Sequence, residues 1–429
     1  MSKSKLIIEG LNGVRGLSGE IAVAGAKNAI TKIFPATILF EDEVRITNVP
    51  AIEDAARMTE LVQAAGGRVE REGSNATVFQ AANWNPVLDK KIAERLRASI
   101  VFTGPLLART GRVEFPFPGG CVLGERSIDL FLMGFKTMGA VVEEDDSYFR
   151  IHTSGKLKGA RITFPFISVT ATETLMMAAT LAEGETILEN AALEPEIADM
   201  AFYLNECGAR IEGAGTSTIK ITGGQLLHAG GITFDTPPDR IETGSFVMLA
   251  ALAGSDVLVS HCNPSWLTTP LSLLRKAGVP LEIGKDYIRV QAAGVTAPYK
   301  MFSVRTHEYP GFSTDLQAPT AAFLSQCEGE GNILETIFDG RFRYVDDLVR
   351  MGADMSVMNP HRILIKGPRK LTAKNMESPD LRGGLAYLIA ASVAEGTSTI
   401  NNAYLIDRGY ERIEERLAAL GLNIKREEI

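Results

Sequence analysis

Met58-Thr59-Glu60-Leu61-Val62-Gln63-Ala64-Ala65-Gly66-Gly67-Arg68-Val69-Glu70 reads as the end of a helix, a stop and a strand. Met58, Leu61, Val62 and Ala65 fall at i, i+3, i+4 and i+7, the apolar stripe of an amphipathic helix. The glycine after them suits the left-handed C′ position that ends a helix. The same ending recurs at Gly139-Ala140, Gly208-Ala209, Gly278-Val279, Gly352-Ala353 and Gly421-Leu422. Measured from Gly67, the intervals are 72, 69, 70, 74 and 69 residues. Two further stripes, Ile128, Leu132, Phe135 and Ile413, Leu417, Leu420, precede two of these turns at i, i+4, i+7. Three other segments, Thr174 to Ala182, Phe246 to Ala253 and Ala386 to Ala394, are apolar all round. A helix without a polar face belongs inside a core. Each repeat therefore predicts one buried helix, one half-exposed helix and a small sheet.

A segment of about 70 residues builds only a marginal core. Six of them grouped three and three predict two domains of an α/β protein. The Pro-rich stretch Asp235-Thr236-Pro237-Pro238-Asp239 marks a linker between the groups, and two similar domains predict a ligand cleft between them. The bulk numbers agree: 429 residues, 45% hydrophobic and 22% charged, are enough for large cores and exclude a disordered chain. A net charge of −8 argues against nucleic acid or a membrane surface as partner. No window has the length of uncharged apolar sequence that a membrane span needs. Leu6-Ile7-Ile8 meets Glu9 too soon for a signal peptide, so the expected compartment is the cytoplasm. Cys121, Cys207, Cys262 and Cys327 lack zinc or disulfide spacing. Three of them lie in or beside apolar stretches and read as small core hydrophobes.

The common nucleotide, metalloprotease and serine-hydrolase motifs are missing. Gly10-x-x-Gly13-x-x-Gly16 reads as a turn region rather than a phosphate loop. Four segments carry more chemistry. Phe117-Pro118-Gly119-Gly120-Cys121-Val122-Leu123-Gly124-Glu125-Arg126 places a thiol in a Gly-rich loop near a cation and a helix start, both of which favour thiolate. A buried Cys in a tight turn fits the spacing as well. Gly25-Ala26-Lys27-Asn28-Ala29 sets Lys27 among small residues, as a ligand contact or a solvated surface group. Ser313-Thr314-Asp315-Leu316-Gln317 offers a carboxylate that serves as a base or as a helix N-cap. Ile406-Asp407-Arg408-Gly409-Tyr410-Glu411-Arg412 is dense in charge and is also compatible with a solvated helix start.

These segments, with Leu96-Arg97-Ala98-Ser99-Ile100 and Pro238-Asp239-Arg240-Ile241-Glu242-Thr243-Gly244, resemble the enolpyruvyl transferase family from near residue 5 to the C-terminus in one register. Each motif alone is weak; six in order are specific. The resemblance implies a two-domain inside-out α/β barrel built from six βαβαββ repeats, with the ligand cleft between the domains. It implies domains of residues 1–26 plus 238–429 and of residues 27–237. The implied reaction moves the enolpyruvyl group of phosphoenolpyruvate to a hydroxyl of UDP-N-acetylglucosamine by addition and loss of phosphate. No metal or organic cofactor is implied.

The residues carried over divide by role. Cys121 is similar to the family's general acid and covalent-adduct residue, and Asp315 to its base, with Lys27 and Arg408 also catalytic. Phosphoenolpyruvate is expected at Lys27, Asn28, Arg126, Arg341, Arg382 and Arg408. Guanidinium groups suit its phosphate and carboxylate. The nucleotide-sugar is expected at Asn28, Arg97, Arg126, Leu130, Ser168, Val169, Asp315 and Ile337. Phe166 stands where the family often has Lys, and Glu125 and Phe131 also depart from its pattern. Those departures keep a second reading open, an enolpyruvyl transferase for another nucleotide or nucleotide-sugar. A third reading is a silent binding homologue, against which Lys27, Cys121, Asp315 and Arg408 all remain.

Overall fold

The computed structural model describes residues 4–117, 128–145 and 147–428. The chain separates into two compact units. The terminal unit holds the residues up to Ala24 and those from Pro238 onward; the mid-chain unit runs from Gly25 to Pro237.

The repeat is plainest in the last third of the mid-chain unit. Strand Arg161–Thr163 leads into helix Val169–Thr180, strand Glu185–Glu189, helix Pro195–Glu206 and the hairpin Ile211–Glu212 with Thr218–Thr222. The first two strands pair in parallel and the others antiparallel, which gives the order βαβαββ. The same topology recurs in six sheets among the described residues. In one of them, formed by Arg112–Pro116, Val141–Glu144 and Tyr148–His152, the parallel edge is reduced to a single bridge from Val87 to Glu114.

Three repeats are completed by distant chain. Strand Ser4–Glu9 lies between Thr397–Asn401 and Asn423–Glu428 and supplies the final strand of the last repeat. Strand Leu17–Ala22 is the parallel edge for Gly254–Ser260, and Thr233–Asp235 is the parallel edge for Val44–Thr47. Each of these two edge strands runs on into a crossing between the units. The crossings are tied by backbone hydrogen bonds: the Ala26 N–H donates to Pro237 O at 2.7 Å and the Asp239 N–H donates to Ala24 O at 2.9 Å.

The all-apolar segments are buried helices, as their lack of a polar face requires. In the terminal unit Arg240–Ala253, Gln317–Leu324 and Leu381–Val393 pack on one another, and every residue in them is buried. In the mid-chain unit Thr103–Thr110 packs on Val169–Thr180. Gly104 permits that approach, because a Cβ there would lie 2.3 Å from Thr174 O. The glycines that close the amphipathic helices, Gly66, Gly139, Gly208, Gly278, Gly352 and Gly421, all have φ between +87° and +111°. Met58, Leu61, Val62 and Ala65 are buried, as are Ile413, Leu417 and Leu420. The stripe Ile128, Leu132 and Phe135 also lies on the core, with Ile128 and Phe135 buried and Leu132 packed against it. The helix is Asp129–Thr137, Leu132 is half-buried, and Leu130 and Phe131 complete the buried face. Cys207, Cys262 and Cys327 are free thiols in the cores. Burial raises them to about 11, about 12 and about 12. No helix among the described residues is long and apolar enough to cross a membrane.

Candidate active site

Thr314–Leu316 is a short turn that runs into the buried helix Gln317–Leu324. Ser313 caps it, its hydroxyl accepting the Asp315 N–H at 3.3 Å. The side-chain cap here belongs to Ser313, and the Asp315 carboxylate turns to side-chain partners. Arg341 Nη2 donates to its Oδ1 at 2.6 Å, and Arg382 Nη2 donates to its Oδ2 at 2.9 Å. Both arginine side chains are nearly fully buried, while 23% of the Asp315 side chain is exposed.

Arg382 sits in the first turn of Leu381–Val393, which Asp380 caps by accepting the N–H groups of Arg382 and Gly383. Its Nη1 donates to the Tyr410 hydroxyl at 2.9 Å, and Ser245 Oγ lies 3.3 Å from the same oxygen. Burial opposes the charge on Arg382, but Tyr410 and Asp315 outweigh it and hold the guanidinium above its ordinary range. Burial pushes the Tyr410 phenol up to about 12. On the other side, Arg341 Nη1 donates to Thr314 Oγ1 at 2.5 Å, and the Thr314 hydroxyl donates to Glu335 Oε2 at 2.7 Å. Glu335 is buried, and its Oε1 accepts the N–H groups of Ile337 at 2.8 Å and Phe338 at 3.1 Å.

The stretch from 406 to 412 is not a solvated helix start. Ile406 and Tyr410 are fully buried, Asp407 pairs with Arg426 at 2.7 Å, and the helix begins later, at Ile413. Arg408 is half-buried on this loop.

In the mid-chain unit Lys27 is no solvated surface group either. It opens helix Lys27–Ala36, and its Nζ lies 3.0 Å from Asp54 Oδ2. Beside it, the Asn28 carbonyl accepts Lys32 Nζ at 2.8 Å, and Lys32 pairs with Glu173 at 3.1 Å. Glu173 lies on Val169–Thr180, whose cap is Ser168, with Oγ accepting the Ala171 N–H. Asn28 and the pair Ser168, Val169 thus occupy the starts of two helices joined by one buried ion pair. Helix starts favour anions. Burial, only partly offset by Lys32, raises the Glu173 carboxyl to about 7. Arg97 is half-buried at the start of the turn Arg97–Phe102, Leu130 is buried in the core, and Phe166 is 58% exposed. Cys121 and Arg126, with Glu125, lie outside the described residues.

The structure therefore brings Asp315, Arg341 and Arg382 into one cluster, with Ile337 tied to it through Glu335. Sequence reading missed Thr314, Glu335 and Tyr410 as parts of that cluster, and Asp54, Lys32 and Glu173 beside Lys27 and Asn28. Thr314 and Tyr410 lie inside the 313–317 and 406–412 segments, but nothing local marks their partners. The Gly10 to Gly16 region is a turn whose first N–H donors are spent. The N–H groups of Gly10, Leu11, Asn12 and Gly13 go to carbonyls of Gly396, Ser392, Ala394 and Val393.

Comparison with known proteins agrees with this architecture. The family described as EPSP synthase (3-phosphoshikimate 1-carboxyvinyltransferase) matches residues 11–417. The chain is 41% identical over 420 residues to a UDP-N-acetylglucosamine 1-carboxyvinyltransferase of Koribacter versatilis, covering 97% of this chain and 95% of that protein. It is 43% identical over 428 residues to a protein of the same name from Acidobacterium capsulatum, covering 98% and 96%. The enolpyruvyl transferase NikO from Streptomyces tendae shares the fold, with a TM-score of 0.88, 23% identity and full coverage of both chains. An EPSP synthase from Acinetobacter baumannii superposes with a TM-score of 0.74 at 18% identity, again over both whole chains. The match over nearly the whole length, on a frame of six βαβαββ repeats, places the chain in the EPSP synthase family and makes it a transferase.

Proposed function

We propose that the chain transfers the enolpyruvyl group of phosphoenolpyruvate to the 3-hydroxyl of UDP-N-acetylglucosamine and releases phosphate, the first committed step of peptidoglycan precursor synthesis. The observation that carries this reading is the Asp315 carboxylate, gripped on both oxygens by buried arginines. It belongs to a chain about two-fifths identical to relatives that bear the name of that activity.

A carboxylate has about four lone-pair directions. Arg341 and Arg382 each take one, and the partial exposure of Asp315 gives a substrate hydroxyl access to the carboxylate. In the proposed sequence Asp315 takes the proton of the sugar hydroxyl, and the oxygen bonds to C2 of phosphoenolpyruvate. C3 gains a proton from Cys121. Loss of a C3 proton and departure of phosphate then restore the double bond. Lys27, Asn28, Arg126, Arg341, Arg382 and Arg408 are assigned to the phosphate and carboxylate. Asn28, Arg97, Arg126, Leu130, Ser168, Val169, Asp315 and Ile337 are assigned to the nucleotide-sugar.

The deciding experiment is phosphate release from phosphoenolpyruvate with UDP-N-acetylglucosamine, UMP or shikimate 3-phosphate as acceptor. Turnover with the first alone is expected. Exposed Phe166 favours a second reading, another nucleotide or nucleotide-sugar as acceptor, and release with UMP but not UDP-N-acetylglucosamine would select it. Wild-type protein incubated with fosfomycin and nucleotide-sugar is expected to gain one covalent adduct at Cys121 by mass spectrometry, and Cys121→Ser none. An unmodified wild-type Cys121 would remove the reactive-thiol role.

A further inference from the structure

We infer that Glu335 is a positioning residue for the reaction: through Thr314 it fixes the orientation of Arg341, and so the presentation of the Asp315 carboxylate. The inference rests on the reading of Asp315 as the base. It adds a residue that acts through its neighbours rather than on the proposed substrates.

Hydrogen-bond direction makes the link. Glu335 accepts at both oxygens, from the Ile337 and Phe338 N–H groups at Oε1 and from the Thr314 hydroxyl at Oε2. A threonine hydroxyl has one hydrogen. Committed to Glu335, that hydrogen leaves only lone pairs facing Arg341, whose Nη1 donates to them at 2.5 Å. The second nitrogen of the same rigid guanidinium then falls on Asp315 Oδ1 at 2.6 Å. A planar fork with two fixed targets has one orientation. The Arg341 carbonyl is held too, accepting Gln317 Nε2 at 3.3 Å, while Tyr344 OH donates to Gln317 Oε1 at 2.6 Å. Glu335 is itself anchored: its N–H donates to His361 O at 2.8 Å, and its side chain is 1% exposed. The same carboxylate orders the turn carrying Ile337. One buried group thus ties together two loops of the proposed site.

Glu335→Gln preserves size but puts an NH2 donor where Oε2 accepted. Its oxygen keeps the two backbone N–H groups, so its nitrogen faces Thr314 and the polarity of that link is reversed. Thr314→Val removes the hydroxyl at nearly constant volume. The test is steady-state phosphate release across pH with both variants and the double variant. Expected are kcat losses of roughly 100-fold for each single variant, the size of a misplacement effect. The double variant should be no worse than either single one, because both cut the same link. The acidic limb of kcat against pH should move to higher pH as Asp315 loses the Arg341 contact. Thr314→Ser, which restores the hydroxyl, should recover most of the rate lost in Thr314→Val; leaving Glu335 and Arg341 each short of a partner should lower the melting temperature of Thr314→Val, while its circular dichroism at the assay temperature should match that of wild type. Wild-type kcat and an unmoved acidic limb in Glu335→Gln and Thr314→Val would overturn the inference. So would strictly multiplicative losses in the double variant. Asp315→Asn separates the two levels. If it is inactive while Glu335→Gln and Thr314→Val are normal, only this inference falls. If it turns over normally, the base assignment falls with it.

Discussion

Asp315 shows how one side chain is divided among roles. Its neighbour Ser313 takes the cap, two arginines take one oxygen each, and a partly exposed edge remains. Arg382 is the member with least tolerance, because it is 4% exposed and serves Asp315 and Tyr410 with different nitrogens. A lysine has one nitrogen on a flexible stem and cannot reproduce that fork. Arg382→Lys is therefore expected to leave one buried partner unsatisfied, at a cost of about 1–3 kcal/mol. Urea denaturation measures that cost, and phosphate release should fall in parallel. Lys27 is different: it keeps partial exposure while paired with Asp54, so it is less enclosed than Arg382. The segments around Asp315 and Lys27 offer candidate chemistry in the sequence, each beside an ordinary structural alternative. Their partners were not legible, because Glu335, Tyr410 and Asp54 carry no local pattern that separates them from ordinary polar residues.

At the scale of elements, two devices repeat. One is the left-handed glycine after each amphipathic helix. Gly421 has φ +100°, and a Cβ there would point into open space, whereas Gly352 has φ +111° and a Cβ there would lie 2.9 Å from Lys370 O. Gly421→Ala should cost about 1 kcal/mol from backbone conformation alone. Gly352→Ala should cost more, since a clash with backbone is added; denaturant midpoints of the two variants give the comparison. The other device is completion of a repeat by distant chain. Strand Ser4–Glu9 pairs on both sides, with Thr397–Asn401 and with Asn423–Glu428. Removing residues 1–9 opens two ladders at once and uncovers the core around Leu6 and Ile8, both at 0% exposure. The expected outcome is loss of cooperative unfolding by circular dichroism, with aggregation.

At the scale of the molecule, a net charge of −8 coexists with buried guanidiniums clustered on one carboxylate. Bulk charge is a sum over the surface and says little about one interior site. A single half-buried carboxyl does leave a mark on stability. Asp199 has a buried Oδ2 without a hydrogen-bond partner among the described residues, and burial, then Glu196, raises its carboxyl to about 6. A raised carboxyl binds more protons folded than unfolded, so this group weakens the fold as pH climbs from about 4 through about 6. Asp199→Asn should leave stability unchanged below pH 4. Above pH 6 it should stabilise by about 1–2 kcal/mol, the partial exposure of the group limiting the gain. Melting curves at pH 4 and pH 8 test the sign.

The amino-acid sequence by itself determined the repeat, the buried helices at Thr174 to Ala182, Phe246 to Ala253 and Ala386 to Ala394, and the glycine stops. The helices and stops are encoded within a few helical turns, where periodicity and backbone conformation are read directly, and the repeat follows from their recurrence every 69 to 74 residues. Only the tertiary structure decided that Asp315 meets Arg341 and Arg382, which are 26 and 67 positions away. It also decided that Ser4–Glu9 completes the last repeat. The physical reason is that an ion pair or a strand partner is chosen by which surfaces the packed helices bring within reach, and separation along the chain carries no record of that choice.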